Sequence, residues 1–161
     1  ARREIIGALE PLAGGFLEAV SGGTARISMV YYDEWSADGL VESLRRARGD
    51  DIRRGVSTVG PHRDDVMIQL DGLPTRTHSS QGEQRSVALA MRLAGHSLVV
   101  DRTGTDPVVL LDDVFSELDD DRVRALVGLL PATQSVITTA GTIPDGVEAG
   151  KVVHLAGGVF S

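Results

Sequence analysis

PVVLLDD, residues 107–113, is the stretch on which the reading of this chain turns. Four apolar residues, Val108 to Leu111, run without a polar interruption into Asp112 and Asp113. A strand with one wet face alternates apolar and polar residues, whereas an unbroken run fits a strand buried on both faces, as in a parallel sheet. The two carboxylates then stand at the carboxyl end of that strand, where open α/β sheets collect their ligands. Adjacent carboxylates are costly there unless something cationic compensates them. Mg²⁺ carrying a nucleoside triphosphate fits, because it favours a few carboxylates plus phosphate oxygens. Asp112 would hold the hydration shell of the metal and Asp113 would orient an attacking water. The alternative is a solvated acidic turn that caps the next helix.

Both flanks support an α/β pattern. After the acidic pair comes VFSELDDDR (114–122), then a helix over about 119–130 with Val123, Leu126, Val127 and Leu130 at three-to-four spacing, stopped by Pro131. Asp119, Asp120 and Asp121 suit the positive end of that helix. QSVITT (134–139) reads as a second buried strand, and KVVHLAGGVF (151–160) as a terminal hairpin turning at Gly157-Gly158. Upstream, a helix over about 82–100 carries Val87, Ala90, Met91, Ala94 and Leu98 on one face. It opens from SSQGEQR (79–85), in which Ser80 and Glu83 form the S-x-x-E capping box. The cap accounts for those two residues but leaves Gln81, Gly82 and Gln84 unexplained. Glycine permits close approach to the backbone, and exposed amides at a helix start attract anions, so the stretch also reads as a phosphate contact.

The first half is less regular. Residues 2–20 show helical spacing interrupted at Pro11 and Gly14-Gly15; TARISMVYY (24–32) reads as a strand; SADGLVESLRRARG (36–49) reads as a short helix ending near Gly49. GPHRDD (60–65) is a turn leading into a strand at about 65–70. Neither an internal repeat nor a low-complexity segment is present.

Composition narrows the possibilities. Apolar residues make up 42 % of the chain, enough for a packed core. The absence of cysteine excludes disulfides, thiolate metal sites and a cysteine nucleophile. No stretch approaches the roughly 18 apolar residues of a membrane span, and no signal peptide opens the chain, so a soluble intracellular protein is expected. The first residues, Ala-Arg-Arg-Glu, lack a methionine and read as already helical, which suggests a piece of a longer polypeptide. A net charge of −7 gives no general attraction for nucleic acid. The one dense basic stretch is RRARGDDIRR, with Arg45, Arg46, Arg48, Arg53 and Arg54 around Asp50-Asp51. It reads either as a solvated helix face or as a local DNA contact.

Taken together, SSQGEQR, VVLLDDVFSELD and VITT resemble the second half of an ABC-type ATPase head, and the addition of GPHRDD makes the wording similar to the RecF family of bacterial recombination mediators. The likeness is strong over residues 60–140 and weak before residue 50. It implies an α/β fold: residues 79–161 as the signature helix and C-terminal half of the ATPase core, with a mainly parallel sheet and a terminal hairpin, and residues 1–78 as part of a smaller α+β arm-like lobe. It further implies that Ser80, Gln81, Gly82, Glu83 and Gln84 form a signature motif that meets ATP across a dimer. Asp112 would be the Mg²⁺ carboxylate, Asp113 the catalytic one, Ser116 and Asp119 the D-loop, and Thr139 the switch residue. Gly60, Pro61, His62, Arg63 and Asp64 form a family fingerprint without an assigned role. The implied activity is a weak DNA-associated ATPase, cytoplasmic and nucleoid-associated, using ATP and Mg²⁺. Its ATP-dependent homodimer would act on gapped or single-strand/double-strand junction DNA, with RecR and RecO as partners and RecA loaded indirectly.

Two departures stand out. Asp113 occupies a place where many ABC heads have glutamate, and Thr139 one where many have histidine. A phosphate-cradling G-x-x-x-x-G-K-[ST] is missing. GVEAGKV (146–152) is one residue short, places Val152 where a hydroxyl is needed and leads into a strand. The resemblance therefore implies a P-loop in an N-terminal half outside these residues. HRDD (62–65) lacks the rest of a kinase site, since Gln69 stands where asparagine is required, and the four histidines lack metal-ligand spacing. Two other classes stay open: the head of another SMC-like, Rad50-like or nuclease-linked DNA-processing ATPase, and a non-hydrolysing interaction module.

Overall fold

The computed structural model describes residues 1–131 and 133–160, apart from the side chains of Glu117 and Phe160. The chain divides into two compact units, Ala1–Thr105 and Asp106–Ser161.

The first unit is built on two long helices and an antiparallel sheet. Helix α1 (Arg2–Ser21) runs through Pro11 and through Gly14-Gly15, contrary to the expected interruption, and ends at Gly22 in the left-handed conformation. Pro11 costs the helix its bond to the Gly7 carbonyl, but both residues are exposed, so that carbonyl faces solvent. The buried side chains Ala13, Leu17 and Val20 continue one stripe across the break, and packing of that stripe outweighs the local penalty. Strands β1 (Ile27–Tyr32), β2 (Asp65–Leu70) and β3 (Leu73–Pro74) pair antiparallel in that order. The β2–β3 link is the two-residue turn Asp71-Gly72, both at positive φ, which matches the right-handed twist of the strands. Asp71 also ties the turn to β1, accepting from the Arg26 N–H at 2.8 Å.

Between β1 and β2 lies α2 (Leu40–Arg54), which passes through Gly49 and stops at left-handed Gly55 instead. A short α3 (Thr75–His78) then leads to α4 (Gln81–Thr103), which packs against α1. Ala13, Leu17, Ile27, Met29, Leu70, Val87, Ala90 and Ala94 form the core between them. Ala13, Ala90 and Ala94 are fully buried, and their small side chains let the helix backbones come close.

In the second unit β4 (Val109–Leu111) and β5 (Ser135–Ile137) pair in parallel, joined through a 3₁₀ turn (Val114–Glu117) and α5 (Asp120–Leu129). This is the α/β arrangement that the continuous apolar run implied. The expectation of burial on both faces is corrected, however. Val109 and Leu111 are buried, whereas Leu110 is 69 % exposed and its cross-strand neighbour Val136 is 47 % exposed. The unit's buried side chains are Val109, Leu111, Phe115, Val123 and Leu126. The terminal hairpin, β6 (Leu155–Ala156) and β7 (Val159–Phe160), turns at Gly157-Gly158 as expected, both at positive φ. Among the described residues no helix is long and apolar enough to cross a membrane.

Candidate functional site

Two candidate clusters stand out, one in each unit. In the first, Ser80 caps α4 and the capping box is complete: Ser80 Oγ accepts from the Glu83 N–H at 3.3 Å, and the Glu83 carboxylate accepts from the Ser80 N–H at 2.7 Å. The Ser80 hydroxyl proton is also engaged, donated to Glu83 Oε2 at 2.8 Å. Gln84 folds back to the Ser79 carbonyl at 3.0 Å, and the buried Ser86 hydroxyl donates to the Gly82 carbonyl at 3.0 Å. Gln81 is exposed, and Gln81 and Gly82 open the first helical turn, whose amides point out of the helix end without intrahelical acceptors. The local structure therefore realises the cap fully. An anion arriving here would meet those amides and would compete with Glu83 for the serine hydroxyl.

The second cluster lies beyond the parallel strands. Asp112 and Asp113 follow β4 directly, and Thr138 follows β5 in the same register. The Thr138 hydroxyl donates to Asp112 Oδ1. The Asp113 N–H reaches the Thr138 carbonyl at 3.0 Å and the Thr138 hydroxyl at 3.1 Å. Asp113 adopts φ 47° and ψ 35°, a left-handed conformation that a residue with a Cβ enters at a cost. Its carbonyl accepts from the Ser116 hydroxyl at 2.9 Å, which closes the 3₁₀ turn. Asp119 caps α5, accepting from the Arg122 N–H at 2.9 Å, so the helix-capping role read for this aspartate run is present. Thr139 lies one residue further on, its hydroxyl accepting from the Gly141 N–H at 3.2 Å. Sequence reasoning singled out Thr139 and passed over Thr138. The repeat Thr138-Thr139 after an apolar strand was the available signal.

Among the described residues no group of three or more His, Asp or Glu side chains could hold a metal by itself. The donor set at Asp112 and Asp113 instead suits a hard cation that takes most of its oxygens from phosphate and water.

The fingerprint GPHRDD acquires a clear structural content. Gly60 and Arg63 close a turn (Arg63 N–H to Gly60 carbonyl, 2.8 Å) with Pro61 at its second position. Gly60 has φ 135°, and a Cβ there would sit 3.2 Å from His62 Nδ1. His62 Nε2 and the Arg63 guanidinium both converge on the Ser57 carbonyl at 3.1–3.2 Å. The Asp64 side chain is only 2 % exposed. It accepts from the Tyr31 hydroxyl, from Trp35 Nε1 at 2.7 Å and from Arg2 at 3.2 Å, while Arg2 also donates to the Pro61 carbonyl. That hydrogen bond to Asp64 pushes the Tyr31 phenol above its ordinary range. Beside it, Arg3 donates to the Asp33 carboxylate at 2.7 Å and to the Ser36 hydroxyl oxygen at 2.9 Å. Ser36 foremost, and Arg3 with it, lower the Asp33 carboxyl below the usual aspartate range. The fingerprint thus fastens the start of α1 to the end of β1 and to the turn before β2.

Three of the five arginines of the basic stretch on α2 are paired with carboxylates of that helix or with Asp38 just before it. Arg46 pairs with Asp38 at 2.7 Å and Glu42 at 3.3 Å, Arg53 pairs with Asp50, and Arg45 lies 3.9 Å from Glu42.

Known proteins resemble the chain over nearly its whole length. The chain is 37 % identical to the DNA replication and repair protein RecF of Agathobacter rectalis over 162 aligned residues, which cover 98 % of this chain and 44 % of that protein. The chain belongs to the RecF family. RecF of Acidothermus cellulolyticus is also 37 % identical, over 96 % of this chain and 45 % of its own length. A solved structure of the recombination mediator protein RecF-ATP in the RecFOR pathway superposes with a TM-score of 0.80 at 27 % identity, covering 99 % of this chain and 44 % of that one. A second, of RecF-ATPrS in the same pathway, gives 0.79 at 28 %. No protein-family model matches the chain. The chain therefore spans a little under half the length of the RecF proteins it matches.

Proposed function

We propose that this chain supplies the signature helix and the second half of the nucleotide head of an ATP-dependent DNA-binding switch in recombinational repair of gapped DNA. The observation that carries the reading is the acidic pair Asp112-Asp113 at the carboxyl end of a parallel strand pair in a RecF-family chain. In this reading residues 79–161 belong to the nucleotide head and residues 1–78 to an arm-like lobe packed on the signature helix. The exposed row Val108, Leu110 and Val136 supports a missing half. Parallel sheets of continuous apolar strands are covered on both faces, and here the rest of a full-length RecF does the covering.

When bound, Mg²⁺ and ATP supply the charge and the phosphoanhydride for phosphoryl transfer. Asp112 would hold the hydrated ion, and Asp113 would orient the attacking water. With one methylene fewer than glutamate, Asp113 reaches less far toward that water, in keeping with slow hydrolysis. Ser80 and the Gln81 and Gly82 amides of a second copy face the terminal phosphate, Ser116 and Asp119 line the dimer seam, and Thr139 stands at the switch position. Two copies would thus close on each other, the dimer would grip gapped or junction DNA, and opening of the dimer would release it. RecR and RecO are the partners of this assembly, RecA is loaded indirectly, and the assembly works in the cytoplasm on the nucleoid. Within α2 the DNA contact narrows to Arg48 and Arg54, the two arginines of that helix with no carboxylate partner among the described residues.

The test is ATP-stimulated binding of a full-length RecF carrying this segment to gapped duplex DNA, wild type beside Ser80→Arg. The arginine blocks approach of a partner's phosphate and leaves each copy's own P-loop intact. Loss of ATP stimulation is expected. Stimulation equal to wild type would reduce SSQGEQR to a helix cap.

A further inference from the structure

Asp112 and Asp113 are joined by one hydroxyl that belongs to neither of them. Because β4 and β5 are parallel and in register at Leu111 and Ile137, the next residues, Asp112 and Thr138, leave neighbouring strand ends side by side. The register bond from the Thr138 N–H to the Leu111 carbonyl, 3.0 Å, fixes the Thr138 backbone. Its hydroxyl proton goes to Asp112 Oδ1, while its oxygen accepts the Asp113 N–H at 3.1 Å. A hydroxyl has one proton and two lone pairs, so both roles are filled at once.

We infer that Thr138 is a positioning residue for the acidic pair: it directs one oxygen of the Asp112 carboxylate away from the cation and holds Asp113 in its left-handed backbone conformation. The inference rests on the nucleotide-binding reading above. An aspartate at an exposed strand end is otherwise free to rotate about its last bond, and a cation must then order it on binding. With Oδ1 occupied by Thr138, Oδ2 is presented alone, already oriented. Orienting partners of this kind change metal affinity by about 10- to 100-fold when removed. The same threonine also supports the Asp113 conformation. Its N–H is drawn to both oxygens of Thr138, a pair of contacts that offsets part of the cost of positive φ in a residue other than glycine. Thr139, by contrast, spends its hydroxyl on the Gly141 amide and makes no bond to either carboxylate among the described residues.

The experiment uses a full-length RecF carrying this segment, with wild type, Thr138→Val and Thr138→Ser compared. Valine keeps the β-branched shape and removes the hydroxyl; serine restores it. The readout is the Mg²⁺ concentration that half-saturates binding of a fluorescent non-hydrolysable ATP analogue, independent of turnover. Thr138→Val is expected to raise that concentration about 10-fold, and Thr138→Ser to return it to within about 2-fold of wild type. Wild-type-like Mg²⁺ dependence in Thr138→Val, or a serine variant as impaired as valine, would overturn the positioning role and leave the nucleotide reading intact. Nucleotide binding by the wild type that shows no response to Mg²⁺ would overturn the role of the acidic pair, and that of Thr138 with it.

Discussion

Leu110 offers a direct measure of what the outer face of the parallel strands is for. It is 69 % exposed, so only about a third of its surface is covered within this chain. Full burial of a leucine is worth about 1.5–3 kcal/mol, and truncation to alanine of a side chain one-third covered should therefore cost about 0.5–1 kcal/mol. If the rest of a full-length RecF covers that face, the same truncation removes a core side chain and costs about 2–5 kcal/mol. The difference, about 2 kcal/mol, corresponds to roughly a 30-fold change in a local opening equilibrium. Hydrogen exchange followed by mass spectrometry on peptides spanning β4 and β5 reads that opening directly, without averaging over the first unit. Leu110→Ala should accelerate exchange slightly in the isolated chain and strongly in the full-length protein. Val109→Ala serves as the control, because Val109 is 5 % exposed already and should be costly in both settings. Equal acceleration by Leu110→Ala in the two settings would show that nothing covers the face.

Two further outcomes follow from the carboxylates of the first unit. Asp64→Ala removes a carboxylate shared by Tyr31, Trp35 and Arg2 and should cost about 2–4 kcal/mol. The change should appear both in urea unfolding and in the fluorescence of Trp35, the sole tryptophan; a cost under about 0.5 kcal/mol would deny the carboxylate its fastening role. Asp33 and Asp51 both have carboxyl groups lowered below the ordinary range, Asp33 chiefly by Ser36 and Asp51 chiefly by the Thr58 hydroxyl. A lowered folded-state value means stability that is complete above the ordinary aspartate range and is lost as pH falls through the lowered one. Urea midpoints should therefore drop between about pH 5 and pH 2, and less steeply in Asp33→Asn; an unchanged slope in that variant would remove Asp33 from the acid response.

How much of this was legible beforehand differs from element to element. The helix that opens from SSQGEQR, its cap and its apolar stripe were all readable, because an S-x-x-E box and a 3.6-residue period are local properties. The parallel strand pair followed from an unbroken apolar run and the intervening helix. Helix ends were less tractable. Arg48-Gly49 and Arg54-Gly55 look alike in sequence, yet only the second ends α2. Asp51 lies beyond the first glycine, and its carboxylate takes the Thr58 N–H at 2.9 Å and the Thr58 hydroxyl at 2.6 Å, which ties the part of the helix past Gly49 to the loop that follows it. Gly49 costs such a helix about 1 kcal/mol, which is affordable when neighbouring contacts depend on its continuation. Pro11 was overridden in the same manner by the stripe that α1 turns toward the core.

By itself, the sequence determined the class of the fold, the family, and the positions of the helix-capping Ser80 and the strand-end carboxylates. Those signals are carried by neighbours in the chain, where spacing alone sets which side chains share a face or a helix end. Only the tertiary structure decided that Asp64 is a buried anchor, since its three donors come from residues 29 to 62 positions away. The same holds for Thr138, whose hydroxyl reaches across 26 residues to Asp112 because the parallel register brings two strand ends together. Hydrogen bonds between groups so distant in the chain depend on the pairing of whole elements, and a local pattern of residue types does not encode that pairing.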